Sequence, residues 1–103
     1  MEIGDKASAE DYYKRALTIN PNNVSAAYSY ALLQYRASKL PEARALIRRV
    51  NQLPNPAPDA LYLGMCVERK LGDSASEASY VSQLKNRYPD SAEARAVPPG
   101  ACE

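Results

Sequence analysis

The sequence predicts an all-α fold, a solenoid of helix-turn-helix units with five helices and a short C-terminal sixth. Three observations predict it. Gly4-Asp5-Lys6-Ala7-Ser8 returns as Gly72-Asp73-Ser74-Ala75-Ser76, and Pro21 and Pro89, which close the two segments, share that spacing of 68 residues. Half of that spacing is the ~34-residue length at which helical hairpins stack into arrays. An intermediate copy then needs its turn near Ser38 and its closing proline near Asn55. Ser38 does precede Leu40-Pro41, a good helix start, and Pro54 and Pro56 flank the second position.

The elements follow in order. The first segment carries Ala9, Tyr13, Ala16 and Pro21 at the small, aromatic, small and proline positions of a hairpin's second helix, where close pairing leaves little room. Asn23 caps a helix from about Val24 to Ala37, with Ala27, Tyr30, Ala31 and Gln34 on its packing face and Gln34 the polar departure. Ala43, Ile47 and Val50 form the packing face of the helix after Leu40-Pro41. Pro58 opens a helix from about Asp59 to Leu71 that packs through Ala60, Leu63, Gly64 and Val67. Ser74 with Glu77 reads as a capping box for a helix reaching Arg87. Gly64 to Gly72 is one residue longer than Ala31 to Ser38, a shift that leaves Ala78 rather than Glu77 as the expected inward small residue. Asp90-Ser91-Ala92-Glu93 starts a last helix that Pro98-Pro99-Gly100 stops after about two turns. The division is a half repeat over 4–23, a middle repeat over 24–57 and a last repeat over 58–91. Together they form an array over 1–97, with a disordered tail over 98–103. A helix-turn-helix period of this length is that of the tetratricopeptide repeat.

Composition narrows the chemistry. The chain has 103 residues, a net charge of +1, 46% apolar and 24% charged residues, and no histidine. Near-neutral charge gives no pull towards nucleic acid or anionic lipid, and no apolar run approaches the ~20 residues that span a bilayer. Without histidine there is no Ser-His-Asp or Cys-His catalysis and no histidine-containing zinc site. The Gly-Asp pairs sit in helix-helix turns, where glycine's permissive backbone accounts for them, and not in a phosphate loop after a strand. Glu68, Asp73 and Glu77 form no acid/base pair that the spacing supports. No enzyme, cofactor or metal is therefore expected. Arg36, Lys39, Arg44, Arg48 and Arg49 make a basic cluster whose expected role is the solvated outer face of the middle repeat, not a nucleic-acid surface. Cys66 is expected to be a small buried apolar side chain. A disulfide with Cys102 stays open, since it needs Cα atoms within roughly 7 Å.

In such a solenoid the first helix of each hairpin lines the concave side, where a segment of another protein can lie. That register places Tyr28, Leu32, Tyr35 and Arg36 of the middle repeat and Tyr62, Met65 and Arg69 of the last in a protein-binding groove. Tyrosine suits the role because it offers a large contact area, few rotamers to freeze and a phenol. With eight tyrosines and no Phe or Trp, tyrosine must also serve as the core aromatic, and Tyr13 and Tyr30 sit at packing positions. The face carrying Ala9, Tyr13 and Ala16 is left uncovered by the half repeat. It is expected either to meet further repeats or to self-associate.

Two stretches go further, Gly4 to Leu17 and Leu63-Gly64 through Glu68-Arg69-Lys70-Leu71-Gly72-Asp73 to Tyr88-Pro89-Asp90-Ser91. Both resemble the type IV pilus biogenesis lipoproteins, or pilus pilotins, over nearly all of residues 4–95. The first resembles an early repeat of that family and the second its final one, which implies that intervening repeats and the lipidated cysteine are absent from this sequence. The resemblance implies a non-catalytic scaffold at the periplasmic face of the outer membrane. Its partner would be the pilus secretin or another pilus assembly protein, and it would bind no cofactor. The opening Met1-Glu2-Ile3-Gly4-Asp5 has no basic segment, apolar stretch or cleavage site, so no export signal is expected in this sequence. The alternative is a generic tetratricopeptide-repeat adaptor or co-chaperone that binds a peptide in its groove. Chaperone-tail binding uses a clamp of lysine, asparagine and arginine on successive first helices. The corresponding residues Ser25, Tyr28, Ser29, Leu32, Leu61, Tyr62 and Met65 do not supply it.

Overall fold

The structure, a computed structural model, describes the backbone of residues 3–96 and 102 and the side chains of residues 8–96 and 102. Six helices follow one another, with no strand among the described residues: α1 (Ile3–Ile19), α2 (Val24–Arg36), α3 (Leu40–Asn51), α4 (Pro58–Leu71), α5 (Ser74–Arg87) and α6 (Ala92–Arg95). α2 pairs with α3 and α4 with α5, while α3 packs on α4 and α1 on α2. The result is a stack of hairpins led by a single helix.

Local chemistry sets each boundary. The Asn23 side chain accepts from the backbone N–H of Ala26 and starts α2. Pro41 and Pro58 stand in the first turns of α3 and α4, where a missing N–H costs nothing. α5 is capped by Asp73, whose carboxylate accepts from the Ser76 N–H at 3.0 Å, and not by Ser74 as the sequence suggested. The two hairpin turns place Ser38 (φ 62) and Gly72 (φ 83) in the left-handed region, one period apart. α6 is a single turn rather than two. The tail expected over 98–103 lies outside the described residues except at Cys102, which forms a disulfide with Cys66.

Helix starts keep a strict period: Val24 and Pro58, and Leu40 and Ser74, are each 34 residues apart. The extra residue inferred between Gly64 and Gly72 therefore shifts nothing. α4 is one residue longer than α2 (14 against 13), and the turn after it is correspondingly shorter. Ala78 is consequently exposed, Glu77 is half-buried, and Tyr80 and Leu84 carry the inward face of α5. The core runs along the stack in two clusters. Ala27, Ala31, Ala43, Ile47, Val50, Ala60, Leu63 and Val67 fill the first. Leu61, Met65, Cys66, Tyr80, Leu84 and Ala94 fill the second. Gly64 lets the Tyr80 ring lie close against α4: a Cβ there would stand 2.8 Å from the ring and 2.9 Å from the Asn51 amide nitrogen.

Among the described residues one charged side chain is completely buried. Glu68 of α4 is 0% exposed and accepts from Arg44 Nε and Nη2, at 3.0 and 2.7 Å, and from Arg48 Nε at 3.2 Å. Arg44 Nη2 also donates to Asp73 at 3.0 Å. Arg44 and Arg48 are thus not simply a solvated outer face; they bind one hairpin to the next. Bonding to Glu68 holds the Arg44 guanidinium above its ordinary value, and Asp73 lies below the usual carboxylate range because it accepts from Ser76.

Removing one partner of a buried ion pair strands the other without solvent. Arg44→Ala is expected to lower the unfolding free energy by about 3 kcal/mol. Arg49→Ala, which loses only an exposed bond to the Pro21 carbonyl, should change it by less than about 1 kcal/mol. Gly64→Ala gains about 1 kcal/mol of helix propensity but overpacks Tyr80 at a cost of about 1–3 kcal/mol, so a net loss of about 1 kcal/mol is expected. Urea denaturation followed by circular dichroism measures all three.

Candidate functional site

The first helices of the two hairpins, α2 and α4, face each other across an open groove of about 450 Å³. Tyr28, Leu32, Tyr35 and Arg36 project from α2 at spacings of four, three and one, a single stripe of a helix. Tyr62, Leu63 and Cys66 form the α4 wall, and Cys102 completes the lining. A second depression of about 410 Å³, bounded by Val24, Ser25, Ser29, Asp59 and Ala60, shares Tyr28 with the first, so the trough runs on towards the N-terminal ends of both helices. Its ends differ in charge: Asp59 stands at one, Arg36 at the other, and the Lys70 ammonium lies 5.7 Å from the centre of the Tyr35 ring. Burial pushes the Tyr28 phenol above its ordinary value, and the negative charge of Asp59 adds to the shift.

Five of the seven residues that the sequence placed in the groove come together there: Tyr28, Leu32, Tyr35, Arg36 and Tyr62. Met65 does not. It is 1% exposed and packs among Leu61, Tyr80 and Leu84. Arg69 is half-buried and is not part of the lining. Cys66 takes the place assigned to Met65. It lies one period after Leu32, whereas Met65 lies one period after the fully buried Ala31, and that spacing was the signal that could have found it.

The other tyrosines do different work. Tyr80 is the most deeply buried, at 8% exposure, and burial raises its phenol. The Tyr88 hydroxyl donates to the Pro56 carbonyl at 2.6 Å, tying the end of α5 to the loop before α4. Tyr13 and Tyr30 meet at 6.1 Å between α1 and α2, and Ala9, Tyr13 and Ala16 are half-buried there rather than bare. Among the described residues of α1, the large apolar side chains that stand exposed are Tyr12 and Ile19. The Tyr30 hydroxyl donates to Glu10 at 3.1 Å, and that bond draws the Glu10 carboxyl below its ordinary value.

Stacked hairpins whose first helices line an open trough define a protein-interaction scaffold, a class that generally carries no catalysis. Among the described residues no group of acidic or cysteine side chains could hold a metal ion, and no helix is long and apolar enough to cross a membrane. The chain belongs to the tetratricopeptide repeat family, whose model matches residues 1–66. It is 30% identical, over 93 residues, to the type IV pilus assembly protein PilF of Pseudomonas aeruginosa, covering 90% of this chain and 37% of that protein. A solved structure of Pseudomonas aeruginosa pilF superimposes with a TM-score of 0.77 at 30% identity, covering 90% of this chain and 42% of that one. The resemblance seen in the repeat motifs therefore extends to the fold, and the chain spans well under half the length of this relative.

Tyr30 supplies a titration test. Burial first, and then the bond to Glu10, push its phenol up to about 12. The neutral phenol is the favoured form in the fold, so this contribution to stability is complete below the ordinary value near 10 and is lost as pH rises through about 12. In an alkaline absorbance titration the last tyrosine step is expected near pH 12 and should vanish in Tyr30→Phe. Persistence of that step in the variant would contradict the assignment.

Proposed function

We propose that the chain is a non-catalytic scaffold in type IV pilus biogenesis that binds the pilus secretin, or another pilus assembly protein, in the trough between α2 and α4. In this role it helps the secretin assemble or reach the outer membrane, and it works at the periplasmic face of that membrane. The observation that carries the reading is the likeness to a pilus assembly protein along 90% of the chain, across both hairpins whose first helices form the trough. The chemistry of the trough agrees with it. Three phenols, a leucine and flanking charges of opposite sign suit a peptide segment with apolar anchors, and nothing in the lining is arranged to transfer a group. The half repeat over 4–23, the repeats over 24–57 and 58–91 and the array over 1–97 are proposed as the units of this scaffold. The exposed Tyr12 and Ile19 beside the α1–α2 seam are where self-association would occur.

Capture of purified pilus secretin by the immobilised chain tests the proposal. Replacing Tyr28, Tyr35 and Tyr62 together with alanine should weaken capture at least about tenfold, as expected for aromatic anchors, while leaving helicity intact. Unchanged capture would refute the groove assignment. Capture of a chaperone tail in place of secretin would favour a generic adaptor.

A further inference from the structure

Residue 102 touches both walls of the trough. Its sulfur is bonded to Cys66 of α4, with the two Cα atoms 5.4 Å apart. Its carbonyl oxygen accepts from the Tyr35 hydroxyl of α2 at 3.3 Å. It is also one of the residues that line the trough, between the stripe of Tyr28, Leu32 and Tyr35 and the wall of Tyr62 and Cys66. A phenol donating to a main-chain carbonyl is a contact that ignores side-chain identity. Opposite it, Cys66, a smaller side chain that carries the bond to Cys102, stands where the preceding repeat has Leu32.

We infer that the trough recognises a main-chain carbonyl through Tyr35, and that residue 102 of this same chain holds that place, locked there by the disulfide. This rests on reading the trough as the partner site and adds to it how the partner is held and what it must displace. A partner segment that places a carbonyl on Tyr35 and a small side chain over Cys66 competes directly with residue 102. A non-covalent ligand cannot displace a covalently bonded one, and even an unbonded occupant on the same chain competes at a high effective concentration. The trough is therefore narrowed between Tyr35 and Cys66 in the oxidised chain, and reduction frees that part of it for a partner.

Opening needs a dithiol, either a small one or a thiol–disulfide oxidoreductase. One thiolate attacks the sulfur of Cys102, which is half-exposed where Cys66 is 3% exposed, and forms a mixed disulfide with it while Cys66 leaves as the thiolate. The second thiol of the reagent then attacks the mixed disulfide and releases Cys102. Two electrons and two protons pass to the cysteine pair, giving two thiols, and the reagent departs as its own disulfide.

The test uses the full chain with ring-labelled tyrosine, studied by NMR before and after reduction with dithiothreitol. The Tyr35 ring resonance is expected to move on reduction while those of Tyr12 and Tyr13, on α1, stay in place; a stationary Tyr35 overturns the inference. Should reduction disorder the whole chain, the oxidised Tyr35→Phe variant decides instead. Losing the phenol should speed reduction of the disulfide by dithiothreitol several-fold, and an unchanged rate overturns the inference. In parallel, the oxidised chain, the reduced chain and Cys102→Ser are compared for capture of purified pilus secretin. Capture at least tenfold tighter by the last two supports the occlusion, and equal capture by all three overturns it. No capture by any of them refutes the secretin reading alone, and the Tyr35 measurements then decide the question of residue 102.

Discussion

A carboxylate with no access to water must be met by cations, and Glu68 obtains them only if the hairpins stack. The side chain belongs to α4, its partners Arg44 and Arg48 to α3, and Arg44 reaches on to Asp73, the cap of α5. Three helices from two repeats thus converge on one buried charge, which is tolerated only when all its acceptor sites are matched. Apolar burial in the two core clusters supplies the bulk of the driving force. A core of Ala, Leu, Ile and Val would nonetheless accept a small slide between hairpins, whereas a bidentate guanidinium–carboxylate pair would not. The trough inherits this precision, because α2 and α4 face each other at the distance that the contact between α3 and α4 sets.

The architecture was legible because it is written as a period. Gly72 repeats the positive-φ position of Ser38, and Tyr62 repeats Tyr28 in the groove wall, each 34 residues on. The misplacements share one origin. Aligning Gly64 with Ala31, two small residues, put the last repeat one position out, which sent Met65 to the groove and Ala78 to the core. In the fold Gly64 answers to Tyr30, and its missing side chain makes room for the Tyr80 ring. Small residues resemble each other in a motif even when one is small for a neighbouring helix and the other for a neighbouring ring. Helix starts, fixed by caps and prolines, keep the period more faithfully than packing residues do. The contacts of Arg44, Arg48 and Cys102 were hidden for a different reason. They join separate elements, and local pattern carries no information about which charge or thiol will meet which.

The chain uses its tyrosines in two ways, and the hydroxyl separates them. Where the ring is wanted inside, the phenol meets a polar group of the protein, Asn51 in the case of Tyr80. Tyr30 donates to Glu10 and Tyr88 to Pro56, and the buried Tyr80 lies beside Gly64. In the trough the rings are half-buried, and Tyr35 donates to the carbonyl of residue 102. A phenylalanine would pack in most of these places and could make none of these bonds, which is a physical reason for the absence of phenylalanine from the sequence. The disulfide joins the same wall. A cross-link over a separation of 36 residues stabilises by about 4 kcal/mol in the chain-entropy account, a large fraction of what a domain of this size has.

Two of four equivalent positions at the two seams between successive hairpins exchange their charges. Arg44, Arg48, Glu68 and Asp73 at the second seam correspond, one period earlier, to Glu10, Lys14, Gln34 and Lys39 at the first. Where the second seam pairs a cation on the preceding helix with an anion on the turn, Arg44 with Asp73, the first has the anion Glu10 on the preceding helix and Lys39 on the turn. Gln34 is buried like Glu68, but it needs no arginines because it carries no charge. Placing α3 against α2 in the manner of α1 would bring Arg44 and Arg48 towards Lys39 with no carboxylate to receive them, a like-charge contact that opposes the wrong order. At the next corresponding positions, on α5, the residues are the uncharged Ala78 and Ser82, both exposed. The apolar period thus makes hairpins stack, while the exchanged charges at Arg44 and Asp73 against Glu10 and Lys39 favour the observed order over its reverse.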